Sequence, residues 1–370
     1  MNKQHGPIRR FRAAHPITYI ATIVIVVGVA IWLGVMAVIN AAIPSNLQAE
    51  SGARTSNATL VSDTSASGGQ AVKFTAPAGG CETTTPFTPG GPDPWGGCWP
   101  GQTNTGVPAG TNLAAYTGSC TVTANNTIID SRTVNCSPLT IRASNVSISK
   151  SQLNGGVNIE SGYCSTASVT IVDSAVDIPD EVTGGNSGST GILRCNFTAN
   201  RVNVTGGRRS MYCVNNCVIE NSWVHEQGVD PDAEAHFSGI RMEQNGTIRH
   251  NSITCEATRS GPGSGCSAGL TGYGDFAAVR DNLIERNLFY RGGAGGSTIC
   301  AYGGSSGEDG GKPYGHLAEN IRFISNRFVR DPQTGHCGNL ATVLDFNSSR
   351  PGNVWQDNLF NTGATVPPVN

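Results

Sequence analysis

An eight-position phrase returns along most of this chain, and it constrains the fold more than any other feature. It is apolar or small at the first position, apolar at the third, Ser or Asn at the sixth and apolar at the eighth. NNCVIENSWV at 215–224, QNGTIRHNSI at 244–253 and ENIRFISNRF at 319–328 all contain it. Ile148, Ser151 and Leu153 fill its last three positions, as do Ile171, Ser174 and Val176, then Ile219, Ser222 and Val224, then Ile248, Asn251 and Ile253. Ile284, Asn287 and Phe289, Phe323, Asn326 and Phe328, and Trp355, Asn358 and Phe360 continue the series, with degenerate copies around Ser131 and Val202. This predicts about nine rungs, none of which can bury its apolar edge alone.

Successive sixth positions are 20, 23, 28, 20, 29, 36, 39 and 32 residues apart. The register is therefore kept while the intervening length varies. Apolar alternation rich in Val, Ile and Thr, broken by Gly and Asn, predicts strands of period two, and no long amphipathic helix follows residue 43. Short strands at a recurring register, with variable insertions, describe an all-β solenoid whose loops emerge from stacked coils. The sixth position is expected to form an inward or corner ladder, because Ser and Asn side chains hydrogen-bond to backbone at a bend.

The rest of the chain divides by composition. A short tail, 1–16, carries Lys3, Arg9, Arg10 and Arg12; residues 17–43 hold no charged side chain; and the first acidic residue is Glu50. Twenty-seven uncharged residues exceed the roughly 20 that cross a bilayer, so 17–43 is expected to be a signal-anchor helix with the basic end inside. A cleaved signal peptide ending near Ala41 and Ala42 is the alternative. Residues 44–105, rich in Ser, Thr, Gly and Pro, read as a spacer, with the solenoid over 106–366 and a tail at 367–370. Formal charge is −2 and no basic stripe occurs, so nucleic acid is excluded as a partner.

All twelve cysteines lie beyond the apolar segment, which points to an oxidising exterior. Stacked coils bring near neighbours together. The expected disulfides are Cys81 with Cys98, Cys120 with Cys136, Cys164 with Cys195, Cys213 with Cys217, Cys255 with Cys266, and Cys300 with Cys337. Zinc is the weaker reading, since CVNNC has no second half-site of matching spacing.

Together these rungs resemble the right-handed parallel β-helix of the pectate-lyase-like superfamily, over about residues 106–366. NTGVPAGT at 104–111, SGIRMEQNGTIRHNSI at 238–253, LTGYGDF at 270–276 and SSRPGNVW at 348–355 resemble a group of bacterial membrane-anchored surface proteins of that fold. ASGGQAVKF at 66–74 is similar to the first strands of carbohydrate-binding β-sandwich modules, and reads as a remnant inside the spacer. Members of the superfamily include lyases of uronic-acid polymers and glycoside hydrolases, which bind sugars in the groove along the coils. The sequence has no R-x-P-x-x-R lyase motif and no adjacent Asp-Asp of the polygalacturonase kind, so the resemblance implies a fold and no catalytic residues.

Candidate chemistry concentrates in HEQGVDPDAEAHFSGIRMEQ at 225–244, an insertion between two rungs. For a lyase, Asp230, Asp232 and Glu234 are expected to hold calcium, and Arg241, His236 or His225 to serve as base. The competing reading is a solvated acidic loop with ordinary surface histidines. If Ile240 and Met242 face the core, alternation sends Arg241 and Glu243 outward. Aligning SMYCVNNCVI with GIRMEQNGTI places Arg241 over Tyr212. Stacking LTGYG, ICAYG and VLDFN aligns Tyr273, Tyr302 and Phe346 on three coils, where their rings would suit sugar faces; a structural aromatic ladder is the competing reading. The expected function is polysaccharide binding at the cell surface with lyase-like or glycosidase-like cleavage. The alternative is a non-catalytic adhesin.

Overall fold

A computed structural model describes residues 80–179, 189–229, 235–257, 265–293, 296–307 and 311–370, together with the backbone of two strands nearer the N-terminus. Those two, Ala58–Ser62 and Gln70–Phe74, pair antiparallel as a hairpin in a unit of their own, and residues 76–370 form the second unit. The expected signal-anchor at 17–43 and the calcium candidates Asp230, Asp232 and Glu234 lie outside the described residues. Among the described residues no helix is long and apolar enough to cross a membrane.

The second unit is all-β. Its strands form three parallel stacks, an arrangement consistent with a β-helix solenoid. The first stack runs from Thr121–Val122 through Leu139–Ile141 and Val157–Ile159 to Ala341–Leu344. The second runs from Ile128–Asp130 through Val146–Ser149 and Val169–Val172 to Val354–Gln356. Both belong to one sixteen-stranded sheet, because Arg209–Glu220 and His236–Arg249 are long enough to contribute to each. The third stack is a separate ten-stranded sheet, from Ala114–Ala115 to Leu359–Phe360.

The phrase turns the corner between the second and third stacks. Its third positions, Ile148, Ile171, Ile219, Ile248, Ile284 and Phe323, are fully buried, as are the eighth positions Leu153, Val176, Val224, Ile253, Phe289 and Phe328. Two left-handed backbone positions five residues apart bracket most second-stack segments, among them Asn145 and Lys150, Asn196 and Arg201, Asn216 and Asn221, Asn245 and His250, and Asn320 and Ser325. Asparagine dominates the first of each pair because its short polar side chain tolerates that conformation. The turn thus sits at the fifth position. The sixth position is the fully buried residue just after it, at Ser151, Ser174, Ser222, Asn251, Asn287 and Asn326, with Asn358 nearly as deep.

At these positions the side chain replaces backbone pairing lost at the bend. The amides of Asn251, Asn287 and Asn326 donate to Oδ1 of Asn287, Asn326 and Asn358 on the next coil, at 3.0, 3.0 and 3.1 Å. The degenerate rung is shifted by one residue: Ser131 holds the left-handed corner, and Arg132 N donates to Ser151 Oγ.

All six expected disulfides are present. Residues 81–105, expected as extended spacer, are instead folded onto the corner column. Trp99 is completely buried and stacks on the His250 ring at 5.5 Å, and Asp93 meets His250 Nε2 at 3.1 Å. The Cys81–Cys98 bridge closes this segment into a compact loop. Trp99 and the bridge supply an apolar anchor strong enough to overcome Pro and Gly composition.

Candidate functional site

Three adjacent strands of the first stack set the outer face. Tyr212 of Arg209–Glu220 pairs with Arg241 of His236–Arg249, which pairs with Thr271 of Gly265–Thr271. Ile240 and Met242 are fully buried in the core, so Arg241 and Glu243 do point away from it. They do not reach solvent: Arg241 is 3 % exposed and Glu243 2 %. The chain after Thr271 folds back over them and brings Tyr273, Asp275 and Phe276 onto the guanidinium.

Arg241 therefore sits in a box. Its guanidinium carbon lies 5.0 Å from the Tyr212 ring centroid, 5.5 Å from Tyr273 and 4.8 Å from Phe276. Its Nη2 donates to Asp275 Oδ1 and lies 3.5 Å from Glu243 Oε1. Tyr212 donates its hydroxyl to the same Glu243 oxygen. Burial works against charge on Arg241, but Tyr212, Asp275 and Glu243 outweigh it and hold the group firmly protonated. Burial raises the Glu243 carboxyl above the usual range, against the opposing pull of Tyr212 and Arg241. Nearby, burial and then the charges of Arg208 and Arg241 bring Arg209 down to about 10.

Tyr273 and Tyr302 are in edge-on contact, with centroids 4.8 Å apart, but the alignment expected for them is off by two residues. Leu270 pairs with Ala301, and Tyr302 with Leu344. The two rings meet because Tyr273 lies past the end of its strand at Thr271, and the chain then turns at Gly274, whose φ is +64°. Phe346 does not extend this ladder. It lies two residues past Leu344, beyond a left-handed Asp345, and is buried against Phe323 and Trp355 at 5.6 and 5.0 Å.

The two histidines lie elsewhere. His225 follows the third-stack strand Trp223–Val224, stacks on Trp223 at 3.5 Å and places Nε2 2.8 Å from Asn203 Oδ1. Burial depresses its pKa to about 4, so it is neutral. His236 is exposed at the start of the strand carrying Arg241, roughly 16 Å back along it, with Nδ1 3.4 Å from Ser267 Oγ. Of the residues singled out, the structure thus gathers Arg241, Glu243, Tyr273 and Tyr302 and leaves His225, His236 and Phe346 apart.

Beside the box opens a groove of about 540 Å³ that no sequence pattern disclosed. Phe276, Arg280, Tyr314, His316, Leu317 and Arg350 line it. Phe276 is 68 % exposed and Tyr314 40 %, so flat apolar surface faces solvent there. Arg280 keeps only long contacts, 3.7 Å to Asp281 and 3.8 Å to Glu319. Phe276 belongs to both features, lining the groove and covering Arg241. Most of these residues come from inter-strand loops, where the period-two pattern carries no information; the signals were LTGYGDF, which holds Phe276, and SSRPGNVW, which holds Arg350. No protein-family model, curated protein or solved structure matches the chain.

Proposed function

We propose that this chain is an extracellular, membrane-anchored right-handed β-helix of pectate-lyase-like type that binds polysaccharide in the groove beside Phe276. The observation that carries the reading is the groove's lining: exposed aromatic faces beside guanidinium groups on a rigid stack of coils. Aromatic faces stack on the apolar faces of pyranose rings, and guanidinium groups donate to hydroxyl or carboxylate oxygens in fixed geometry. Six disulfides fit an oxidising exterior, and residues 17–43 supply the anchor.

Binding without cleavage is favoured over turnover. Asp275 and Glu243, the two carboxylates on Arg241, are both committed to it, Glu243 buried and also accepting from Tyr212, and His225 lies apart, stacked on Trp223. The test is retention of the full chain on immobilised neutral and uronic-acid polysaccharides, comparing wild type with Phe276→Ala, Tyr314→Ala and Arg280→Ala. Each substitution is expected to weaken retention roughly 2- to 10-fold, the scale of one lost aromatic or charged contact. Wild-type retention in all three variants would place binding elsewhere.

A further inference from the structure

Arg241 holds its carboxylates in an incomplete way. Both Asp275 and Glu243 approach through Nη2, whereas Nε is buried and has no hydrogen-bond partner. A carboxylate laid side-on against Nε and Nη2 would satisfy both donors in the bidentate geometry that arginine favours. Asp275 does not do so from where its loop holds it.

The loop itself is lightly tied. Over residues 274–276 its polar attachments are the Asp275 contact and the bond from Tyr314 N to Gly274 O, 2.8 Å, while Tyr273 before them is held by hydroxyl contacts with Ser267 and Tyr302. Gly272 precedes Tyr273, and the left-handed Gly274 packs so near Gly315 that a Cβ would lie 2.7 Å from its backbone nitrogen. Asp275 is 23 % exposed at its side chain and Phe276 mostly exposed, while Arg241 and Glu243 beneath them are not. Outward movement of residues 274–276 would uncover Arg241 between Tyr212 and Tyr273 and open that box directly into the groove, since Phe276 borders both. Around the box, Arg208, Arg209, Arg241 and Lys312 face the carboxylates of Glu243 and Asp275. Removing Asp275 leaves Arg241 with Glu243 as its remaining carboxylate in a buried, cation-rich site, and the ligand that replaces the lost contact is another carboxylate.

From this geometry we infer that the Arg241 box is a carboxylate-binding subsite, and that Asp275 is its built-in occupant, displaced when a carboxylate-bearing ligand enters from the groove. The inference rests on the groove being a ligand site, but acetate reads the box without any polysaccharide. The experiment uses the full chain carrying Asp275→Ala, with Asp275→Asn as a milder second variant that keeps an acceptor at the same position. Thermal melting is followed against sodium acetate, with sodium chloride at equal ionic strength as the control.

The expected result is that Asp275→Ala melts several degrees below wild type, that acetate restores the loss in a saturable way, and that chloride does not. Wild type, whose box is filled, gains little. Asp275→Asn falls between, and adding Arg241→Met to Asp275→Ala removes the response to acetate. Equal responses to acetate and chloride, or equal gains in wild type and variant, would overturn the inference and leave Asp275 as a structural partner only. If rescue fails while wild type is still retained on polysaccharide, the subsite falls and the groove stands; rescue without retention gives the converse.

Discussion

The buried corner ladder and the Arg241 box both set polar side chains inside the protein, yet they are built on opposite terms. In the ladder each asparagine is satisfied by the same partners on every coil. Nδ2 of Asn251, Asn287, Asn326 and Asn358 donates to the carbonyls of Ile219, Ile248, Ile284 and Phe323 at 2.8–2.9 Å, while Oδ1 of Asn287, Asn326 and Asn358 accepts from the amide and side chain of the coil before. Repetition makes that network complete. The box occurs once, depends on a loop folding back, and leaves Arg241 Nε unpartnered. A complete buried network specifies structure, whereas an incomplete one leaves capacity for a ligand.

Substitutions should separate the two. Arg241→Ala would remove the cation from between Glu243 and Asp275 and leave a buried carboxylate unpaired, at a cost of about 3–5 kcal/mol. Thermal melting of that variant should show the loss, and an unchanged midpoint would mean that the box is solvated. Asn287→Ala would orphan the Asn251 amide and the Ile248 carbonyl, costing about 3 kcal/mol at ~1–3 kcal/mol for each group. Ser174→Ala should cost less, about 1–2 kcal/mol, because it orphans the Ser151 amide alone: Val172 O still accepts from Lys150 N at 3.1 Å. Denaturant midpoints that ranked Ser174 above Asn287 would contradict the view that the asparagines tie coils together more firmly than the serines.

The third stack offers a pH test. His225 titrates near 4 when folded, below the roughly 6.5 of an unfolded histidine, so the unfolded chain takes up the proton first. Stability from this group is complete above about pH 6.5 and falls as pH drops toward 4, by up to about 3 kcal/mol. The midpoint of unfolding, followed from pH 7 to 4, should decline less steeply in His225→Gln than in wild type. Parallel curves would show that His225 is already hydrated.

What the sequence disclosed divides along the same line. Whatever repeats was legible: the inward Ile and Val positions, the Ser and Asn ladder, the pairing of Tyr212 with Arg241, and the six disulfides that stacking makes local. What depends on one loop was not. Alternation correctly aimed Arg241 and Glu243 outward, but cannot tell a side chain that meets solvent from one covered by the next turn, here residues 273–276. The same blindness put Phe346 in line with Tyr302, when a left-handed Asp345 turns it into the core. It also took 81–105 for a spacer, because composition weighs Pro and Gly and not the single Trp99 that anchors the segment. The groove residues Arg280, Tyr314 and Arg350 sit on or beside such loops, with no common spacing to mark them.

The most direct test of the whole account incubates the full chain with panels of neutral and uronic-acid polysaccharides and follows retention, reducing ends and unsaturated ends together. The account predicts saturable retention on at least one polymer, lost in a Phe276→Ala, Arg280→Ala double variant, with no new ends of either kind. Formation of new ends by the wild-type chain, or no retention on any polymer, would contradict it.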